Sequence, residues 1–481
     1  MHSNPLLPTA FINKMEQILP SHLKLDDLIE YCYRPLRRAV RVNTLKISIT
    51  AFQQRANEHR WKLTPIPWCN EGFWIDAKDD IYSLGNSAEH QSGLCYIQEA
   101  SSMMPVAALF HFFKPSKKSI LLDAAAAPGS KTTQIAARMN NQGLIIANEY
   151  SSSRIKMLHA NIQRCGIKNV ALTHFDAAVF GEWLPETFDA ILLDAPCSGE
   201  GTIRKDKQAM KNWSQNAINE ISDMQLTLIE SAFHALKPGG VLIYSTCTLS
   251  HEENQDVLHQ LKAKHPTKVK YLSLENLFEE ASNALTEEGF LHIWPQIYDS
   301  EGFFVAALQK TENSAAPNSK KRPAKLPFLK VTTQEKNDLY TYFNTQFSIE
   351  NIEGVLYKRD QEFWLFPSEI EPLMDKIRFS RLGIKIAEQF GKGRKSGFKT
   401  MHEFARTYGD QSTTNKVDVL PEQANDFYQG RDIRDVNING ATGEILVSYR
   451  NNVIGIGKVV SNRIKNNLPR DLIHDKRLFE Q

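Results

Sequence analysis

Cysteine is scarce in this chain. Six occur in 481 residues, Cys32, Cys69, Cys95, Cys165, Cys197 and Cys247, with no pairing pattern in their spacing. That excludes a disulfide framework and suits a reducing compartment, so a cytoplasmic protein is expected. No CxxC or HxxxH pair occurs, so the usual metal-ligand spacings are missing and no metal is expected. Long apolar runs are missing too: nothing approaches the roughly 18 residues of a transmembrane helix. The start, MHSNPLLPTAFINKMEQ, lacks a basic segment followed by an apolar one, so neither a secretory signal nor a membrane partner is expected. Charge of one sign is not in excess. With 57 Lys and Arg against 55 Asp and Glu, the net charge is +2, and a nucleic-acid partner has to be argued from local patches. The fingerprint G-x-G-x-x-G is absent from the loop where it would belong, 124–131, whose single glycine is Gly129. That disfavours a dinucleotide dehydrogenase. No internal repeat is found.

What is present is length and rhythm. A chain of 481 residues is too long for one ordinary domain. In its middle, apolar strands at 119–123, 143–149, 169–173, 188–194 and 241–245 alternate with helix-forming stretches. One helix is expected at 152–164, stopped by Gly166, and another at 218–236, ending on Lys237, Pro238, Gly239 and Gly240. Near-continuous apolar strands between helices predict a parallel sheet covered on both faces. Two closely spaced strands at 289–294 and 302–308 predict an antiparallel finish. The expectation is an α/β fold with a doubly wound, Rossmann-like core over 97–311. The polar, basic run 311–325 predicts a linker, set at 312–326, and 327–481 then form a separate, autonomous C-terminal region. A hairpin is expected there around Asn451 and Asn452. Residues 1–96 form a mixed α/β extension in which strands at 40–46 and 61–66 flank a helix at 49–59.

Open α/β sheets bind ligands at the carboxyl ends of their strands. Four acids fall there: Asp123, Glu149, Asp176 and Asp194. Solvation of a strand end would explain one such acid better than four. After the first strand, Ala125, Ala126, Ala127, Pro128, Gly129, Ser130 and Lys131 form a loop of mostly small residues. Small residues let backbone approach a ligand, and the helix that follows offers free N–H groups. Glu149 is placed to accept both ribose hydroxyls of an adenosine. Asp176 and Asp194 would then hold its adenine edge and a methionine side, which makes S-adenosyl-L-methionine the expected cofactor.

Two cysteines stand apart. Cys197 lies in DAPCSGEG, directly after the fourth strand, and Cys247 in YSTCTLS, directly after the fifth. A cysteine is ordinarily a small buried hydrophobe, and that reading fits Cys32, Cys69, Cys95 and Cys165. It fits poorly for two cysteines flanked by Pro, Ser and Thr at adjacent strand ends. Thiols in that position suit methylation at carbon 5 of cytosine, which is a feeble nucleophile. A thiolate adding to carbon 6 turns the ring into an enamine, and carbon 5 can then attack a sulfonium methyl. The chemistry needs an activated thiol, an acid near ring N3 and a base to take the carbon 5 proton.

RVNTLK (41–46), YIQEASSM (96–103), LLDAAAAPGSKT (121–132), FDAILLDAPCSGEGTIRKD (188–206) and YSTCTLSHEEN (244–254) resemble the motifs of the NOL1/NOP2/Sun RNA cytosine-5 methyltransferases. The resemblance covers about residues 30–311. It implies that Cys247, the cysteine of the TC motif, is the nucleophile and that Cys197 helps resolve the covalent adduct. It further implies that Asp194 contacts the target cytosine and that Lys131 supports the site. The family loop is closer to CAAPGGKT. Here Ala124, Ala125, Ala126 and Ser130 replace its cysteine and second glycine. DNA cytosine-5 enzymes use a Pro-Cys nucleophile, which would select Cys197; the second motif, STCT, favours Cys247.

RNA contacts are expected from three basic segments. Arg34, Arg37, Arg38 and Arg41 cluster together, 391–399 carries four basic residues beside Phe398, and 450–470 has five and no acid. Each alone could be a solvated face; together they favour phosphate contacts. The C-terminal strands loosely resemble a PUA-like RNA-binding module. The whole layout resembles the bacterial small-subunit ribosomal RNA enzymes of the family, which implies a decoding-region cytosine of 16S rRNA and a monomer. A transfer RNA cytosine-5 methyltransferase and a non-catalytic ribosome assembly factor stay open as alternatives. The intact set Lys131, Asp194, Cys197 and Cys247 argues against the second.

Overall fold

The computed structural model describes residues 7–77, 84–314, 326–391, 397–438 and 440–473. Most of the expected linker therefore lies outside the described residues. Four antiparallel strands open the fold: β1 (Ala39–Val42), β2 (Lys62–Ile66), β3 (Cys69–Asp76) and β4 (Cys95–Ile97), in the order β2-β3-β1-β4. The helix Ile49–Glu58 joins β1 to β2 as expected, but β3 separates them, so the segment is not a parallel β-α-β unit.

The core sheet contains β5 (Ile120–Asp123), β6 (Leu144–Asn148), β7 (Val170–Thr173), β8 (Phe188–Asp194), β9 (Leu236–Thr246), β10 (Val269–Leu272), β11 (Leu291–Ile293) and β12 (Phe303–Lys310). Its order is β10-β12-β9-β8-β5-β6-β7, with β5 to β9 parallel and β12 antiparallel to β9. Successive side chains go to opposite faces. Leu121, Ile145, Leu172, Leu192 and Ile243 enter one apolar core, and Leu122, Ile146, Ala171, Ile191 and Leu242 the other. Each such leucine or isoleucine contributes about 1.5–3 kcal/mol on burial. The order reverses between β5 and β8, which opens a ligand crevice at the carboxyl ends of these two strands.

One boundary differs from expectation. The helix Gln215–Ala235 runs straight into β9, whose pairing jumps from Phe188↔Leu236 to Ala190↔Val241. Residues 237–240 bulge out of the ladder, with Gly239 at φ 81°. They are part of the strand's entry, not the end of the helix.

The C-terminal region is tied into the core sheet. Strands β13 (Leu329–Lys330), β14 (Val355–Arg359) and β15 (Glu362–Phe366) begin a second sheet. The chain then lays β16 (Arg381–Leu382) antiparallel against β7, where it extends the core sheet to nine strands. It returns as β17 (Ile384–Phe390) and β18 (Gly397–Thr400) to finish the second sheet, ordered β13-β14-β15-β17-β18. Trp364, Phe366, Ile370 and Leu382 pack in the same apolar cluster as Leu122 and Ile146. The buried Arg406 donates to the carbonyls of Ser92, Arg164 and Val453, so one guanidinium joins the N-terminal, core and C-terminal parts. A last sheet holds β19 (Lys416–Asp418), β20 (Glu444–Tyr449), β21 (Asn452–Val460) and β22 (Arg463–Asn466). Its β20–β21 hairpin turns at Arg450 and Asn451, both at positive φ, as the sequence predicts.

Candidate active site

The loop after β5 is shaped by small side chains. Ala124, Ala126 and Ala127 are buried, and Gly129, at φ 105°, caps the helix Ser130–Arg138. A Cβ at Gly129 would lie 2.9 Å from Leu158 Cδ1, so both the dihedral and the space call for glycine. Glu149 follows β6 and is only 3% exposed. Its carboxylate accepts the N–H groups of Ala127 (3.2 Å) and Ser151 (2.7 Å), with the Arg154 guanidinium 3.6 Å away. Glu149 therefore laces the loop to the end of β6 while keeping acceptor capacity for a ligand.

The other acids divide. Asp123 is fully buried and accepts a 2.6 Å bond from the Thr132 hydroxyl. Burial pushes its carboxyl up to about 7. Asp176 is exposed, and its Oδ1 accepts the Ala178 N–H at 3.0 Å, capping a short 3₁₀ turn. Among the described residues it shares no hydrogen bond with the loop or with Glu149. Asp194, at the end of β8, takes 2.6 Å from Lys131 Nζ and 2.7 Å from Ser245 Oγ. Lys131 also donates to Ser102 Oγ at 3.0 Å.

The two cysteines meet because β8 and β9 are neighbours and each thiol directly follows its strand. Their Sγ atoms lie 3.1 Å apart, and the Cys247 N–H points at Cys197 Sγ at 3.3 Å. Both are half-buried, while Cys32, Cys69, Cys95 and Cys165 are buried, as expected. The contact with Cys247, together with burial, pushes the Cys197 thiol well above its ordinary range.

Two buried carboxylates lock the cysteine loops together. Glu200, after Cys197, accepts from the Thr248 hydroxyl (2.7 Å), the Leu249 N–H (3.1 Å), the Ser250 hydroxyl (2.8 Å) and Trp213 Nε1 (2.6 Å). In return Glu253, after Cys247, accepts the Ser198 N–H at 2.9 Å. Burial raises the Glu253 carboxyl. Gly201 donates to the Cys247 carbonyl at 2.9 Å and touches Gly302 so closely that a Cβ would lie 2.0 Å from its carbonyl oxygen. Sequence reasoning missed Ser102, Ser245, Glu200 and Glu253. The last two sit inside the motifs SGEG and HEEN, which is the signal that could have found them.

The basic segments are corrected in part. Arg41 is 1% exposed and donates to Gln98, Thr133 and the Ser130 carbonyl, so it braces the start of the helix Ser130–Arg138 and is not a surface cation. Arg37 lies over the Trp74 ring and pairs with Asp299. Phe398 packs against Tyr342 and Phe363. Residues 392–396, with three of the expected cations, lie outside the described residues. Lys458, Arg463, Lys465 and Arg470 are exposed, Arg463 beside Asp432. Among the described residues no group of His, Cys, Asp or Glu could hold a metal ion, and no helix is long and apolar enough to cross a membrane.

Four family models tile the chain. "16S rRNA methyltransferase RsmB/F" matches residues 110–309 and "N-terminal domain of 16S rRNA methyltransferase RsmF" matches 7–100. "Ribosomal RNA small subunit methyltransferase F, pre-PUA domain" matches 328–405 and "Methyltransferase RsmF PUA domain" matches 414–474. The ribosomal RNA small subunit methyltransferase F of Psychromonas ingrahamii is 66% identical over 479 residues, 100% of both chains. That of Vibrio campbellii is 54% identical over 484 residues, again 100% of both. A crystal structure of a methyltransferase homologue from Pyrococcus horikoshii is 35% identical, covers 63% of this chain and all of its own, and superposes with a TM-score of 0.52. NSun6 from the same organism shares the fold at 22% identity and a TM-score of 0.55, over 64% of this chain and 99% of its own. These matches bear out the expected RNA methyltransferase, Rossmann-like core and PUA-like terminus: the chain belongs to the ribosomal RNA small subunit methyltransferase F family.

Proposed function

We propose that the protein methylates carbon 5 of a specific cytosine in 16S rRNA through a covalent Cys247–cytosine adduct, with S-adenosyl-L-methionine as donor. The observation that carries this reading is the thiol pair, 3.1 Å apart, beside the Asp194–Lys131 ion pair. An enzyme that needed one thiol only as packing would not set two at adjacent strand ends in a ligand crevice.

The donor fits the chain's own residues. The loop 125–131 presents the start of a helix to a ligand, and Glu149 offers a carboxylate for ribose hydroxyls. Asp176, exposed past β7, is assigned the adenine edge. When bound, S-adenosylmethionine supplies an electrophilic methyl on a sulfonium. Cys247 adds as thiolate to carbon 6 of the base. Asp194, held by Lys131 and Ser245, accepts from the exocyclic amino group and orients the ring. Cys197, kept as a thiol, acts after methyl transfer, when the carbon 5 proton leaves and the bond from Cys247 to carbon 6 breaks.

In this reading residues 1–96 and 327–481 position RNA around the 97–311 core, with 312–326 as the connection, and the enzyme works as a monomer in the cytoplasm. Mapping 5-methylcytosine in 16S and transfer RNA from cells lacking the gene tests it. One missing 16S site, restored by the wild-type gene and not by a Cys247→Ala copy, supports the reading. A transfer RNA site lost in its place overturns the substrate assignment.

A further inference from the structure

The helix Thr9–Ile18 carries no residue that any role above uses, yet it packs against the segments that follow both cysteines. Its Phe11 and Met15 are buried. They share one apolar cluster with Ile203 and Met210, after Cys197, and with Leu249, two residues past Cys247. Lys14 reaches the same two segments through polar contacts. Its Nζ donates to Gln215 Oε1 at 3.1 Å and lies 3.0 Å from Glu252 Oε2. Gln215 Nε2 donates to Glu252 Oε1 at 2.8 Å and closes the triangle. Lys14 is the only basic residue of this helix, and its side chain, 11% exposed, is turned inward.

A second path runs through Trp213. Its ring meets Phe11 edge-on, with centroids 5.9 Å apart and planes at 82°. Its Nε1 donates to Glu200 Oε1 at 2.6 Å. The other oxygen of Glu200 accepts the Thr248 hydroxyl at 2.7 Å and the Leu249 N–H at 3.1 Å, and Ser250 Oγ lies 2.8 and 2.9 Å from the two oxygens. One buried carboxylate therefore holds the three residues directly after Cys247. An indole N–H can only donate and a carboxylate only accept, so the direction of this link is fixed. The first helix sets the indole, the indole sets the carboxylate, and the carboxylate sets the loop.

We propose that Trp213 is a positioning residue for Cys247, acting through Glu200, and that Lys14 supports the same loop through Glu252. The inference rests on the reading of Cys247 as the attacking thiol. The sulfur has to meet carbon 6 at bonding geometry, and a misplacement of about 1 Å can cost about 100-fold in rate even when its cause lies far from the chemistry. Trp213 and Lys14 touch neither cofactor nor base in this assignment. They act only by where they hold Thr248–Ser250 and Glu252. The helix Thr9–Ile18 then belongs to the support of the thiol, while the rest of the N-terminal region is left to face RNA.

The test uses the full-length enzyme in single-turnover reactions with tritiated S-adenosylmethionine and 16S rRNA, free or in small subunits, from cells lacking the gene. Trp213→Phe deletes the N–H and keeps a ring against Phe11. It should bind cofactor and RNA within about threefold of wild type and methylate about 10- to 100-fold more slowly. Glu200→Gln cuts the same link one residue further on, so the double variant should be no slower than Glu200→Gln alone. Lys14→Met should also slow the reaction without weakening binding, and Lys14→Arg, which keeps the cation, should restore it. The Lys14 pair decides the matter if Trp213→Phe does not fold. A folded Trp213→Phe or Lys14→Met enzyme within about twofold of wild-type rate overturns the proposal. So do losses that multiply in the double variant, or slowing accounted for by weaker cofactor or RNA binding. Cys247→Ala separates the two levels: if it still methylates, the covalent reading itself fails, and if it is dead while Trp213→Phe and Lys14→Met keep the wild-type rate, only this inference fails.

Discussion

Cys197 Sγ and Cys247 Sγ lie 3.1 Å apart, at the ends of neighbouring parallel strands, and this contact together with burial pushes the Cys197 thiol upward. A nucleophile has to reach the thiolate form. The environment of Cys197 opposes that, which agrees with the proposed role of Cys247 as the attacking thiol. Cys247→Ala should therefore abolish methylation while cofactor still binds. Cys197→Ala should form the bond to the base and release it slowly, giving a protein–RNA band that survives denaturing electrophoresis. The double variant should give none. Adduct in Cys247→Ala and its loss in Cys197→Ala would reverse the two roles.

Glu149→Ala should weaken S-adenosylmethionine binding by about 10- to 100-fold, or about 1.5–3 kcal/mol, measured by titration calorimetry. Part of that loss comes through the loop, because the carboxylate also holds the Ala127 and Ser151 N–H groups. Glu149→Gln keeps one acceptor oxygen and should recover part of the affinity. Equal affinity of the alanine variant and wild type would remove Glu149 from the site.

Lys458 and Lys465 are direct partners across the β21–β22 ladder, and both are exposed. Like charges opposite one another destabilise a ladder, so an anion there would relieve a cost already present. Replacing both with alanine should lower the slope of log K against log salt by about 1.4–1.8, the contribution of two phosphates. A slope unchanged from wild type would take this hairpin out of the RNA path.

Asp123 offers a pH test. Burial raises its carboxyl from the ordinary 3.8 to about 7. A folded state that holds the proton more tightly than the unfolded chain loses stability as pH rises between these values. The shift sets a ceiling of about 4 kcal/mol across that window. Asp123→Asn, which keeps an acceptor for Thr132, should match wild type near pH 4 and exceed it progressively up to pH 7 and above in urea denaturation. Parallel pH profiles for the two proteins would show that Asp123 does not titrate in the folded state.

Features carried by local pattern were legible in the sequence. Strand β8 runs Phe188–Asp194 as expected, and Gly166 at φ 70° ends the preceding helix because few other residues adopt that conformation. The cysteine motifs were legible because each sits directly after an apolar strand. What was hidden depends on residues far apart. Nothing near Arg41 says that its partners are Gln98, Ser130 and Thr133, so it read as a surface cation. Strand β16 is two residues long, too short for any periodicity, and β3 hid because its pairing partners lie on both sides of it in space. Ser102 acquires meaning only when the helix Ser130–Arg138 brings Lys131 to it.

The pairing of Arg381 and Leu382 with β7 has a consequence for how a target is selected. A terminal region hung on a flexible tether could deliver many cytosines to one thiol. Here the chain that leads to the β21–β22 lysines is hydrogen-bonded into the sheet that carries Cys197 and Cys247. Under the reading proposed above, with phosphates at those lysines, an RNA would engage both ends only if its own fold sets a phosphate and a cytosine at the separation between those lysines and the thiol. Discrimination by span needs no base-specific contact at the lysine end.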